Sequence, residues 1–443
     1  MAEENIAEKF GRFEYIYMFV MIIYMSQATP ETSRMVGTLS GNPIPFLIPI
    51  FLTYLLLKRH PVSFNNKALK YTLFVYTAWV GLQYYVGNLR TVSDFSFVFF
   101  QYYAIVIAYI HIKVYGHRFF DIFESCVVWF CKVAIVFWLI SHLLPWLASG
   151  LFSMFPETSI GNSFFYIYTW IDPAKAPPDD GVSYALRNAG CAWEPGRFAV
   201  MVIFGLYTDL LRNGIRFREN GNVFVMLFAL FTTFSTTGYV AAVVLYLLFY
   251  IKRIDTKYVI RTFFVLVALF YVSMNIDFIG DKIIAQLQFD DSEIEYQANY
   301  AEETMDEGEY AASLERFAAM YFEALNIVAA PFTGYGPNSE YSYFYQNISS
   351  HHVLTGQIMK LFGMFGIPFG LLLYYLLFRS SRCISRKSAY KGPYALFFIG
   401  VMSCISYVIL SVPVFTAFWL FGLFGESVND EMMEEQLEDS YTK

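Results

Sequence analysis

An all-α polytopic membrane protein is the fold this sequence predicts, and three observations predict it. Hydrophobic residues make up 57% of the 443 positions, against 15% charged. Apolar runs long enough to cross a bilayer recur along the whole chain. The short alternating segments that would mark an outer-membrane barrel do not occur. Nucleic acid is excluded as a partner, because no basic face gathers on one soluble segment. The net charge of −7 decides little, since in a membrane protein the placement of charge matters more than its sum.

The runs divide into about twelve transmembrane helices. They cover 13–28, 44–57, 71–87, 95–112, 122–147, 196–211, 222–236, 238–251, 259–275, 352–378, 393–410 and 412–425. Pro413, after Ser411 and Val412, marks either a turn or a kink between the last two. The start, Met1 to Lys9, is acidic and polar, so the first span is expected to be a retained helix and not a signal peptide.

Lys and Arg set the orientation. Alternate loops are basic: Lys58, Arg59, Lys67 and Lys70; Lys113 and Arg118; Arg212, Arg216 and Arg218; Lys252, Arg253, Lys257 and Arg261; Arg379, Arg382, Arg386, Lys387 and Lys391. The intervening loops carry only Arg34, Arg90, Lys175, Arg187, Arg197, Lys282 and Arg316. The basic loops are therefore expected on the cytoplasmic side, with both termini. Two long loops, 148–195 and 276–351, then face outward, and an acidic tail, 426–443, faces inward. The whole of 1–443 reads as one integral membrane unit.

The stretch from Arg187 to Ala199 puts two arginines and a glutamate just before an apolar run. Pro195 suits the first turn of a helix, where a missing N–H is no loss. Arg187, Glu194 and Arg197 then lie beside the positive end of a helix dipole, a natural place for an anion such as phosphate. A guanidinium grips phosphate in a bidentate way that lysine cannot. The plainer reading is that Glu194 and Arg197, three apart, bridge on the helix's first turn.

In the second long loop, Ser313–Ile327 has helical spacing of apolar residues and carries Arg316. A glycine- and proline-rich turn follows, Pro331 to Pro337, then Tyr341, Tyr343 and Tyr345. Tyr335 and Tyr341 could stack on sugar rings, or anchor the loop at the interface. His351 and His352 open the next span. Either could take a proton from a sugar hydroxyl, or simply face water. They are a poor metal pair, since adjacent helical residues point about 100° apart. Asp179-Asp180 and the acidic run 290–309 are weak metal or steering signals, better read as solvated. Lys132 and Lys360 fall inside apolar runs, where a cation needs a partner or a cavity. The five cysteines show no CxxC spacing, and no two share an exposed loop.

Taken together, Arg187, Gly190, Trp193-Glu194-Pro195-Gly196, Phe198 and Ala199 resemble the signature of the O-antigen polymerase and O-antigen ligase family. The Ser/Thr-rich turn Thr232 to Tyr239, the arginine-bearing outer helix at Arg316, the turn Gly334-Tyr335-Gly336, and His352 with Gly363 and Gly366 fit the same order. The likeness runs from about 187 to 370, and the first five spans match only as a generic helical bundle. One departure stands out: the family's His-Asn pair is replaced by His351-His352-Val353.

The resemblance implies a GT-C-like bundle and a metal-independent, inverting glycosyl transfer at the periplasmic face of the bacterial inner membrane. No cofactor is implied. The donor would be a glycan on undecaprenyl pyrophosphate. Arg187, Arg197 and Arg316 would hold pyrophosphate; Glu194 or His352, with His351 as the adjacent alternative, would be the base; Tyr335 and Tyr341 would meet sugar. Membrane lipid, a chain-length regulator and a flippase are the implied partners. A polymerase of lipid-linked repeat units is the leading expectation, ahead of a ligase acting on lipid A core. A flippase or other transporter is disfavoured, because charges are sparse in the spans and the long loops lie on one side.

Overall fold

A computed structural model describes residues 10–25, 44–155, 161–173, 184–192, 194–215, 220–250, 312–313, 316–348, 352–354, 358–406, 410 and 412–425. Helix dominates it, with fifteen α-helices among the described residues. Local chemistry explains where they begin. Asn66 caps the helix Lys67–Tyr85 by accepting from the Leu69 N–H at 3.1 Å. Thr91 and Asp94 form a reciprocal capping box at the start of Val92–Tyr115. Proline occupies the first turn of Pro145–Phe152, Pro195–Asn213, Ile367–Lys387 and Pro413–Phe424.

Two of the described helices, Val92–Tyr115 and Arg118–Leu143, are long and apolar enough to cross a membrane by length and composition. Gly221–Thr232, Thr236–Tyr250 and Pro413–Phe424 are apolar but shorter. The outer surface speaks for the same solvent. Phe51, Phe74, Phe99, Trp129, Phe228 and Tyr375 are each more than 40% exposed. These apolar side chains recur on helix after helix, a pattern that fits hydrocarbon and not water.

Two expected spans take a different form. Residues 122–147 are not one helix: Arg118–Leu143 ends at Leu144, and Pro145–Phe152 begins anew. The residue before a proline is pushed out of helical geometry, and Leu144 obeys, at φ −134° and ψ 60°. Residues 352–378 are not one helix either. His352–Val353 is a short strand, Lys360–Phe365 a short helix, and only Ile367–Lys387 is long. Gly366, at φ 78°, stops the chain before Pro368 restarts it. Val412, extended at φ −93° and ψ 114°, breaks the helical path immediately before Pro413–Phe424, as a turn at Pro413 requires. The span 259–275, the acidic run 290–309 and the tail 426–443 lie outside the described residues.

The core is a bundle centred on Val92–Tyr115, Pro195–Asn213 and Pro413–Phe424, whose side chains are mostly buried. Aromatic edges meet faces at its centre: Phe418 lies 5.2 Å from Phe119, 5.1 Å from Phe123 and 5.0 Å from Phe204. Several inward polar groups are paired. Tyr17 Oη lies 3.1 Å from both Thr53 Oγ1 and His111 Nε2. Arg212 Nη2 donates to Glu124 Oε1 at 2.7 Å, and Asp209 Oδ1 accepts from Asn213 at 2.9 Å and Asn220 at 2.5 Å. All five cysteines are buried and unbridged.

These contacts also fix direction. Arg212, at the end of Pro195–Asn213, meets Glu124, near the start of Arg118–Leu143. The two helices are therefore antiparallel, and Pro195 lies at the far end of the bundle. Val92–Tyr115 turns into Arg118–Leu143 through Gly116, so Asp94, in its first turn, lies at that same far end. The site is built there.

Candidate functional site

The site has two halves. The first is the loop Arg187–Ala192 and the helix start beside it. Tyr184–Leu186 forms a single 3-10 turn. Asn188, fully buried, then pins the loop onto the end of the helix Gly221–Thr232. Its N–H donates to the Thr232 carbonyl at 2.9 Å, its Nδ2 to Thr232 Oγ1 at 2.9 Å, and its Oδ1 accepts from Gly190 at 2.9 Å. Gly190, at φ 53°, also lies so close to Phe198 that a Cβ would sit 2.4 Å from the ring. The Gly190 carbonyl accepts from Thr169 N–H at 2.7 Å, which ties the loop to the hairpin Gly161–Phe164 and Tyr168–Ile171.

That scaffold delivers the charges. Arg187 Nε donates to the Thr233 carbonyl at 3.2 Å, so its guanidinium lies over the Ser/Thr-rich turn. The turn satisfies itself: Thr232 and Thr233 donate back to the Ala229 and Leu230 carbonyls, and Ser235 Oγ caps Gly238 N–H. Glu194 is the N-cap residue of Pro195–Asn213, in extended geometry. Its carboxylate does not cap the helix; it accepts instead from Arg197 Nε at 3.2 Å. The plainer of the two sequence readings is the one this geometry meets: the residues do bridge. Trp193 lies outside the described residues.

Cys191 is buried against the sulfur of Met201 at 4.0 Å, and burial pushes its thiol up to about 12. It is a packing residue and not a nucleophile.

The second half is the latter part of the second long loop, folded as a small unit of its own. Ala312–Ser313 pairs in parallel with His352–Val353, Ala312 opposite His352. The helix Arg316–Ala329 follows. Arg316 and His352 are thereby brought into one neighbourhood by the backbone; His351 lies outside the described residues. Ala319, Phe322, Phe344 and Leu354 form the unit's own apolar core.

Beneath that core is a group the sequence reading missed. Glu323 is fully buried. Asn326 Nδ2 donates to its Oε2 at 3.3 Å, and the Tyr335 hydroxyl hydrogen-bonds to it as well. Burial raises its carboxyl to about 7, against the opposing pull of the Lys360 ammonium and these two donors. Lys360 also donates to the Leu354 carbonyl at 3.0 Å. Gly363 leaves the room: a Cβ there would lie 1.7 Å from Glu323 Oε1. A signal was present in the sequence. Ala319, Phe322, Glu323 and Asn326 share one helical stripe, and an acid in such a stripe is buried with a partner or not at all.

The glycine turn then docks. Tyr335 N–H donates to the Gly363 carbonyl at 2.8 Å, Gly336 N–H to Met364 at 3.1 Å, and Ile367 N–H to Pro331 at 2.7 Å. Gln83, in the last turn of Lys67–Tyr85, and Asn88, in the short turn that follows, donate to the Thr333 and Gly334 carbonyls. Tyr335 is 5% exposed, an interior ring and not a sugar platform in this arrangement. Tyr341 is half-buried; its hydroxyl donates to Asp94 Oδ2 at 3.0 Å, and the Arg90 guanidinium lies 5.4 Å from its ring.

Asp179-Asp180 lies outside the described residues, and among the described residues no three His, Cys, Asp or Glu side chains cluster as metal ligands. Lys132, the other cation in an apolar run, is exposed on the surface of Arg118–Leu143.

Bundle and loops together define a class: a helical membrane protein with a polar, arginine-bearing site gathered at one end. Residues 221–359 match the family model described as O-antigen ligase, which bears out the likeness to the O-antigen polymerase and ligase family over that stretch. No curated protein matches the chain. The matched segment begins with the helix Gly221–Thr232 that anchors Asn188 and ends beside Lys360. It takes in Arg316, Glu323, Tyr335 and His352, and leaves Arg187, Glu194 and Arg197 outside.

Proposed function

We propose that the chain is a polymerase that joins undecaprenyl-pyrophosphate-linked oligosaccharide units into O-antigen or a related surface polysaccharide. The site would work at the periplasmic face of the inner membrane. The observation that carries the reading is the pinned loop Arg187–Ala192, which brings Arg187 and Arg197 to the start of one bundle helix at the end where the second loop docks. An acceptor hydroxyl attacks the donor's anomeric carbon from the face opposite the pyrophosphate, so the configuration inverts. The glycosidic C–O bond to pyrophosphate breaks, and the leaving group carries the electron pair away. Arg187, Arg197 and Arg316 hold that charge, more tightly as it develops. Pyrophosphate leaves as a stable anion, so the reaction needs a base for the acceptor proton and no strong acid. Glu194 and His352 are the two candidates for that base. Glu194 would serve once phosphate draws Arg197 away from it.

A second reading, ligation of finished glycan to lipid A core, is favoured by the description of the matching family. Gene deletion separates the two: a lost polymerase leaves lipopolysaccharide with single repeat units, and a lost ligase leaves polymer stranded on its lipid carrier. A normal ladder after deletion would overturn both.

A further inference from the structure

The bundle carries a second site, away from the loops. A cavity of about 780 Å³ lies between the helices Lys67–Tyr85, Val92–Tyr115, Ile367–Lys387 and Pro413–Phe424. That size falls within the range of sites for small ligands. Its walls are apolar: Phe369, Leu373 and Leu376 on one side, Leu420 and Leu423 on another. Tyr71 and Val75, which also line it, are 68% and 39% exposed, so it opens sideways onto the apolar exterior.

One end is basic. Lys67, Lys113 and Arg379 all line the cavity. Tyr109 shows that they share an end. Its hydroxyl donates to the Ser63 carbonyl at 2.5 Å, just before Lys67, and the Lys113 ammonium lies 6.0 Å from its ring. That ring meets Phe424 at 5.2 Å. Gly422, half a turn back along the same helix, donates its N–H at 2.8 Å to the hydroxyl of Ser380, the residue after Arg379. The opposite end is closed by Phe365 and Phe369, which pack on Trp79 at 4.6 and 5.8 Å. From Phe369 to Arg379 the helix rises about 15 Å, the depth of one leaflet.

We propose that this groove binds an anionic phospholipid, its acyl chains against the leucines and its headgroup phosphate among Lys67, Lys113 and Arg379. Charge complementarity selects the occupant. An apolar trough one leaflet deep, open to lipid and ringed by cations at one end, matches an anion on a hydrocarbon tail. The basic end is the side on which the basic loops gather, so the lipid belongs to the cytoplasmic leaflet. The inference does not depend on the polymerase reading.

The test is native mass spectrometry of the purified full chain with phosphatidylglycerol and phosphatidylcholine of identical acyl chains. Phosphatidylglycerol is expected to be retained on the order of tenfold better. The variant K67Q/K113Q is expected to lose the preference, since both residues are exposed and their loss leaves the fold intact. Leu376→Trp, which fills the groove, is expected to reduce retention of both lipids. Equal retention of the two lipids by the unaltered chain overturns the proposal. So does displacement by inorganic phosphate, or stronger retention of a polyprenyl phosphate.

Discussion

Glu194 and Glu323 are both acids near a cation, and they differ in what their surroundings allow. Glu194 and Arg197 are 28% and 19% exposed, on the first turn of a helix, and each can turn to a new partner. A partly exposed pair of this kind, screened by solvent, contributes on the order of 1 kcal/mol or less. Glu323 is sealed among Asn326, Tyr335, Gly363 and Lys360, with no room to move. On the function proposed above, the first arrangement holds charge ready for a ligand; the second fixes the shape of the loop. An arginine meant to seize an anion has to be cheap to release, and an acid meant to hold two segments together has to be costly to disturb.

Five substitutions sharpen that contrast. The largest effect is on activity: Arg187→Ala and Arg197→Ala are expected each to abolish polymer while changing stability by less than about 1 kcal/mol. Gel ladders and thermal unfolding of the solubilised protein check the two halves of that statement, and normal polymer with either variant breaks the comparison. Next comes Glu323→Ala, which leaves Asn326 and Tyr335 without their acceptor and opens a cavity. It is expected to destabilise by on the order of 3 kcal/mol, read as a lowered melting temperature and faster proteolysis between 312 and 354.

Gly366→Ala forces a side chain into a left-handed position and toward the Phe332 carbonyl, 2.4 Å from the new Cβ. The cost is expected at about 1–3 kcal/mol, by the same measurement. The smallest effect is Glu194→Gln, at about 0.5 kcal/mol or less in stability. Its activity decides the base: retained polymer leaves the proton to His352, and lost polymer assigns it to Glu194.

A pH series tests the buried acid separately. Its carboxyl is raised from 4.5 unfolded to about 7 folded, so between those values the folded chain binds more protons than the unfolded chain. Stability from this group therefore falls as pH rises from 4.5 to about 7, and is level above. Glu323→Gln is expected to flatten that slope, measured as melting temperature against pH. An unchanged slope would mean that the carboxyl titrates normally.

Much of this was legible in the sequence, for identifiable reasons. Apolar runs placed the bundle helices to within a few residues, because a span's composition is set by its solvent. Pro195 marked a helix start, and Arg187, Glu194 and Arg197 were visible as charges beside it. The break inside 352–378 was written in Gly366 and Pro368, yet the surrounding hydrophobicity hid it. Glu323 was hidden differently. Its partners come from 335, 360 and 363, and only folding brings them to it. Tyr335 was read as a surface ring for the same reason: nothing local announces that its hydroxyl is consumed by an acid twelve residues back.

The burial of all five cysteines opens an experimental route. Thiol-reactive probes that cannot cross a bilayer should pass the natural chain by and mark only cysteines introduced by design. A panel of single replacements in the loops around 88, 187 and 340, and in the turns around 65 and 390, would then read sidedness in intact cells, with no need to strip the protein of its own sulfur first.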